Sequence, residues 1–117
     1  MYKNNFNRQK VMEQIRKNNQ GYQAIERGNC KYRTDTEDAN MCLVGCFIPD
    51  NRYNESMEDH DAHHVINSFN LEKYMPLDVD LMGILQQYHD EELNDLCGNE
   101  FFTAIEQKLI DIEKLYC

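Results

Sequence analysis

The strongest constraint on the fold of this chain is Cys42-Leu-Val-Gly-Cys-Phe-Ile-Pro-Asp50, an apolar run interrupted by a glycine and closed by a proline turn. A run this short cannot be assigned to helix or strand by its period. Pro49 nevertheless biases Ile48 away from the helical region and ends whatever precedes it. The expectation is a short buried helix over residues 41–48 at the centre of the core, with Gly45 admitting a close neighbour. At 117 residues the chain is long enough for one such core and too short for two.

Helical periodicity surrounds this element. Asn5 to Asn18 places Phe6, Val11, Met12 and Ile15 near one face. Asn18-Asn19-Gln20-Gly21 then offers a stop built from residues that tolerate left-handed backbone. Residues 22–40 carry no period and read as loop, with one short strand at Cys30 to Arg33. After the Pro49-Asp50-Asn51 turn, Ser56 and Asp59 resemble a capping signal for a helix running to Phe69. Pro76 breaks the chain again, and Asp78 caps a helix with Leu81, Leu85, Tyr88 and Leu96 near one stripe, stopped by Gly98-Asn99. Phe102, Ile105, Leu109, Ile112 and Tyr116 mark a last amphipathic helix. The expected fold is mostly α. It is a compact single domain, residues 1–117, of four to five helices with a short two-stranded hairpin near residues 30–43, and α+β is the alternative.

Charge is distributed unevenly. Residues 1–33 hold eight Lys/Arg against Glu13 and Glu26, a balance of +6, whereas the remainder holds four basic against nineteen acidic side chains, a balance of −15. An acidic body repels phosphate backbones and attracts basic protein surfaces. Direct nucleic-acid binding is therefore not expected, although Tyr22, Tyr32 and Tyr53 are of a type that stacks on bases. No segment approaches the roughly 18 consecutive apolar residues of a membrane span. The first ten residues lack the apolar centre of a secretory signal, so a cytoplasmic location is expected. Five cysteines at irregular spacing make a poor disulfide framework, and thiols such as Cys42 beside Leu43 read as small hydrophobes. Cys97, next to Gly98, has no basic residue close in sequence to activate it.

Two constellations carry possible chemistry. Cys42, Cys46, His60 and His64 come near a Cys2His2 zinc spacing, but Cys46 runs straight into Phe47-Ile48-Pro49 where a zinc knuckle needs a turn. The weaker reading is a small zinc-binding domain. Asp50, Tyr53, Glu58, His89 and Asp90 are polar groups flanking apolar runs, and a histidine beside carboxylates is suited to proton transfer. That reading is a small hydrolase or metal-dependent enzyme using His89. The simpler alternative leaves Asp50 capping the Pro49 turn and His89-Asp90 on a helix face.

The pieces Cys30-Lys-Tyr32-Arg33, Gly45-x-x-Ile48-Pro49-Asp50-x-x-Tyr53, Met57-Glu58 and Leu85-Gln86-x-x-His89-Asp90 resemble a pattern found in a family of small uncharacterised proteins of bacteria and their bacteriophages. The match runs from Cys30 to the final helix. The resemblance implies a compact, mostly helical, cytosolic protein and is compatible with a phage origin. It carries no established activity. That family usually has glycine after the Met-Glu pair, where this chain has Asp59, and His60, His63 and His64 fall outside its pattern.

The functional expectation is a small acidic interaction protein, not an enzyme, that binds and inhibits or modulates a host protein such as a nuclease, a toxin or a defence component. Its candidate binding surface runs through Asp50, Tyr53, Glu58, Asp59, Asp61, His89, Asp90, Glu91 and Glu92. No catalytic residue, resident metal or cofactor is assigned. The partner is a protein with a basic surface; a homodimer, with the basic first helix docked on the acidic body of a second copy, is an alternative pairing.

Overall fold

The first helix forms because Asn7 accepts the Lys10 N–H through its side chain at 3.1 Å, and because Val11, Met12 and Ile15 lie on one face. A computed structural model of the protein describes residues 6–27, 29–35 and 39–116, the last by its backbone alone. Asn5, Gly28, Thr36 to Asp38, the Tyr116 side chain and Cys117 fall outside that description. The fold is mostly α: α1 (Arg8–Asn18), α2 (Ala62–Ser68), α3 (Val79–Glu92) and α4 (Gly98–Tyr116), with a small antiparallel hairpin of β1 (Ile25–Glu26) and β2 (Asn29–Cys30). The hairpin ends at Cys30, where the expected 30–43 stretch begins, and the described residues of that stretch add an antiparallel bridge between Arg33 and Met41. The radius of gyration, 13.1 Å, is close to the roughly 13 Å of one compact globule of this length.

Residues 42–48 do lie at the centre. Cys42, Leu43, Val44, Gly45, Cys46 and Ile48 are all buried. The expected short buried helix is shorter than residues 41–48 and not of the α type: the segment makes one turn and a 3-10 helix, Gly45–Phe47. Its start is drawn into extended pairing, since the Cys42 N–H donates to the Tyr32 carbonyl at 3.3 Å, and Pro49 ends it. Side chains from elsewhere satisfy its backbone. Gln86 Oε1 accepts the Val44 N–H at 3.2 Å, and the Cys46 carbonyl accepts from Gln14 and Asn18 at 3.1 and 2.9 Å.

Two buried asparagines organise the unpatterned loop. Asn19 Nδ2 donates to the Met41 carbonyl at 2.7 Å, and Asn40 Oδ1 accepts the Gln20 N–H at 2.7 Å while its Nδ2 donates to the Tyr22 carbonyl. A buried backbone group left without such a partner would cost about 1–3 kcal/mol.

The later helices shift by a few residues from the periodic reading. Asn54, not Ser56, caps a 3-10 turn at Glu55–Met57. Asp59 then adopts φ +74°, which breaks the chain, and Asp61 caps α2 by accepting the His64 N–H at 2.8 Å. Asp78 caps α3 as expected, with the Leu81 N–H at 3.0 Å, but α3 ends at Glu92, short of the Gly98 stop. In α4 the fully buried stripe is Phe101, Ile105 and Leu109, joined by Ile112. Each such side chain contributes about 1.5–3 kcal/mol by leaving water. Phe102 is half-buried at the edge of the stripe, under the Arg16 guanidinium at 4.8 Å. The basic first helix meets the acidic body within the chain, where Arg8 pairs with Glu113 and, at 3.8 Å, with Glu106. Among the described residues no helix is long and apolar enough to cross a membrane.

Candidate functional site

Two segments bring carboxylates to a groove of about 630 Å³ whose lining, among the described residues, carries no lysine or arginine. The turn before α2 supplies Asp59 and Asp61, and one face of α3 supplies Asp80, Asp90 and Glu91. The helical spacing of Asp80, Gly83, Gln87, Asp90 and Glu91 puts them on that face together. Tyr32 lies beneath, its hydroxyl donating to the His60 carbonyl at 2.6 Å. Burial first, and then neighbouring Cys42, Asp61, Asp90 and Glu58, push the Tyr32 phenol well above its ordinary range, so it stays a neutral donor.

Histidines complete the groove wall. His63 Nε2 sits 2.8 Å from Asp80 Oδ1, linking α2 to α3 across the surface. Gly83 makes that approach possible, because a Cβ there would fall 2.9 Å from His63 Cε1. A glycine inside a helix costs about 0.5–1 kcal/mol relative to alanine, and the close His63 ring is the physical reason for it here. The rings of His60 and His64 stack with centroids 4.3 Å apart.

His89 lies under the groove edge and is fully buried. The Ala24 N–H donates to its Nε2 at 3.0 Å. A backbone N–H can only donate, so Nε2 holds the lone pair, the ring proton is on Nδ1, and Nδ1–H donates to Asp90 Oδ1 at 2.7 Å. Gln86 Nε2 donates to the same Asp90 oxygen at 2.9 Å, and Gln23 Nε2 donates to the His89 and Asp90 carbonyls at 2.7 and 2.9 Å. Both ring nitrogens are thus committed to holding residues 23–24 against the end of α3. Proton transfer through His89, the basis of the hydrolase alternative, has no free nitrogen to use in this arrangement.

Cys30 Sγ, a His89 ring nitrogen and an Asp90 oxygen lie within 4.8 Å of one another, the one such group of three among the described residues. A cation on Nδ1 would move the ring proton to Nε2, directly against the Ala24 N–H. Burial, followed by the charge and hydrogen bond of Asp90, pushes the Cys30 thiol up to about 11, so it also withholds its proton. The Cys42, Cys46, His60 and His64 set is not brought together. Both thiols are buried, Cys42 Sγ accepts the Gly45 N–H at 3.2 Å, and burial raises both above the ordinary thiol range, whereas both histidines are exposed.

The constellation of Asp50, Tyr53, Glu58, His89 and Asp90 divides in two. Asp50, Tyr53 and Glu58 gather around the Arg33 loop, whereas the His89 ring has Ala24 and Asp90 as its partners. Glu58 accepts the N–H groups of Tyr32 and Arg33 at 3.0 and 3.2 Å and the Tyr53 hydroxyl at 2.6 Å. The Arg33 guanidinium lies over the Tyr53 ring at 4.5 Å, donates to the Ile48 carbonyl at 3.2 Å and pairs with Asp50 at 3.1 Å. Asp50 is 91% exposed, so that pair adds little; the Glu58 contacts hold the loop.

Of the acidic surface read from sequence, Asp59, Asp61, Asp90 and Glu91 line the groove. Glu92 is exposed on α3 outside the lining. Asp80, His63, Gly83 and Cys30 were not singled out for it. The signal for Asp80 was its place one helical face from Gln87 and Glu91, whereas nothing local marks Cys30, which arrives from a distant hairpin. Comparisons with protein-family models, with curated proteins and with solved structures return no match.

Proposed function

We propose that this chain is a binding protein, not an enzyme, whose acidic groove receives a basic segment of a partner protein and thereby inhibits or modulates it. The observation that carries this reading is the convergence of Asp59, Asp61, Asp80, Asp90 and Glu91 on one concavity that no described lysine or arginine lines. Such a surface accelerates encounter with a cationic partner and selects against acidic ones. A partner whose working face is basic fits, as the phosphate-holding face of a nuclease is, and a toxin or a defence component fits where its own face is basic. The family resemblance adds only a cytoplasmic setting and a phage origin to the proposal; the inhibitory role rests on the acidic surface.

The test compares the native chain with one carrying Asp59→Asn, Asp61→Asn, Asp80→Asn and Glu91→Gln as affinity bait in host lysate. Capture of a basic protein by the native chain, lost with the neutralised one and weakened between low and moderate salt, is the expected result. Exposed charge pairs are screened over about 8–10 Å, so a true acidic interface must respond to salt. Equal capture by both baits, or binding indifferent to salt, refutes the proposal.

A further inference from the structure

A second hollow, of about 360 Å³, has the opposite chemistry. It lies among the start of α1, the Gly45–Phe47 turn and the Glu72–Tyr74 turn. Phe6, Phe47, Tyr74 and Pro76 give it apolar walls, Lys10 and Lys73 stand in its lining beside Asn7 and Gln14, and no described aspartate or glutamate lines it. Both lysines are exposed, and neither forms an ion pair among the described residues. Lys73 Nζ is 5.2 Å from the centroid of the Tyr74 ring and the Arg52 guanidinium 5.9 Å from it, so the ring collects two cations. In a chain of net charge −9, a concavity whose charged lining, among the described residues, is Lys10 and Lys73, beside apolar groups and the neutral Asn7 and Gln14, runs against the composition.

We propose that this hollow is a docking site for a partner segment in which an aromatic or aliphatic side chain is flanked by carboxylates. Charge complementarity carries the assignment. The apolar side chain would be withdrawn from water against Phe47, Tyr74 and Pro76, where burial is the main attractive contribution. Flanking carboxylates would reach Lys10 and Lys73 at the rim, which selects acidic over basic segments. Because it takes the opposite charge from the acidic groove, this site is a second interface and does not depend on that groove having a ligand. Together the two would let one small chain hold a basic partner and an acidic one.

The experiment uses the full chain and a short fluorescein-labelled peptide with Phe and Leu between Asp and Glu residues, followed by anisotropy. Saturable binding is expected, and Lys10→Glu with Lys73→Glu weakens it by about tenfold or more, since reversing two rim charges opposes the flanking acids. Both lysines are exposed, so unchanged circular dichroism and thermal unfolding separate loss of binding from loss of fold. The Asp59, Asp61, Asp80 and Glu91 neutralised chain binds this peptide as the native one does, which separates this site from the acidic groove. Absence of saturable binding, equal binding of a version with Lys in place of the acids, or indifference to the double reversal overturns the proposal. So does sedimentation as a dimer that the double reversal dissociates, which would make a second copy the occupant.

Discussion

The carbonyl oxygen of Tyr32 occupies the space that a Cβ on Gly45 would need. Gly45 is buried, and its backbone belongs to the 3-10 turn that the Gln86 and Gln14 side chains hold in place. The obstructing atom is backbone, itself fixed by the Cys42 N–H and by the Glu58 contacts to Tyr32 and Arg33. Gly45→Ala therefore forces two core segments apart. The expected loss is about 3 kcal/mol or more, the upper range for overpacking, read from the midpoint of urea unfolding at unchanged slope. A loss below about 1 kcal/mol would mean that the two backbones separate easily.

Asp59 sits at φ +74°, in the left-handed region where a side chain is strained and glycine is not. Asp59→Gly relieves that strain but loosens the unfolded chain, so the net gain is modest, about 0.5–1 kcal/mol. Differential scanning calorimetry should show a higher Tm. A lower Tm would show that the Asp59 carboxylate makes a contact worth more than the strain.

These two positions show what local sequence can and cannot carry. Gly45 was legible because a glycine inside a buried apolar run has few reasons other than close approach, and Asp78 because a capping side chain acts on N–H groups two or three residues away. Phe101 and Phe102 are adjacent apolar residues, and the period alone accepts either as the head of the α4 stripe. The choice is made by Gly21, whose missing side chain lets Phe102 stay at the edge, 3.3 Å from where a Cβ would lie. The acidic groove was half legible. Asp59, Asp61, Asp90 and Glu91 stood out as charge, but their meeting depends on His63 packing over Gly83, a contact between helices that no spacing within either one encodes. The hinge between the two readings of His89 was likewise remote, because the Ala24 N–H that fixes its tautomer is 65 residues away.

With the Ala24 N–H on Nε2 and Asp90 on Nδ1, His89 holds the fold together at the end of α3. His89→Ala leaves the Ala24 N–H without its acceptor in the interior and opens a cavity, a loss of about 3 kcal/mol. Nitrogen NMR of the native chain should show Nε2 unprotonated and Nδ1 carrying hydrogen. A protonated Nε2, or a His89→Ala chain as stable as the native one, would return His89 to the candidates for chemistry.

Alkaline pH should unfold the protein early. Burial raises the Tyr32 phenol and the Cys42 thiol, and burial with the Glu58 hydrogen bond raises Tyr53. All three keep their protons in the fold, whereas the unfolded chain releases them near the ordinary values of 10.0 for tyrosine and 9.0 for cysteine. Stability is thus intact below pH 9 and declines as pH rises from there toward the raised folded values, by up to about 1.4 kcal/mol per pH unit for each fully withheld proton. Urea midpoints at pH 8 and above pH 10 measure this, and Tyr53→Phe should flatten part of the decline. A midpoint independent of pH through that window contradicts the buried, protonated state of these groups.

Cys30 should react slowly for a surface thiol. Its pKa is pushed from 9.0 to about 11, first by burial of the sulfur and then by the charge and hydrogen bond of Asp90. The thiolate is the nucleophile, so at pH 8 it is about 100-fold scarcer than at an ordinary cysteine, while the greater intrinsic nucleophilicity of the more basic thiolate returns roughly 6- to 10-fold. The net expectation is alkylation by iodoacetamide about tenfold slower than that of N-acetylcysteine. Asp90→Asn removes the charge while leaving an amide oxygen able to accept a weaker hydrogen bond, and should speed Cys30 several-fold without reaching the free rate, because burial remains. Cys42 and Cys46 are buried and should label only on unfolding, whereas exposed Cys97 serves as the internal comparison in peptide mass spectra. Labelling of Cys30 at the rate of the free thiol, in the native chain, would remove Asp90 and the sheltering hairpin from any control over this sulfur.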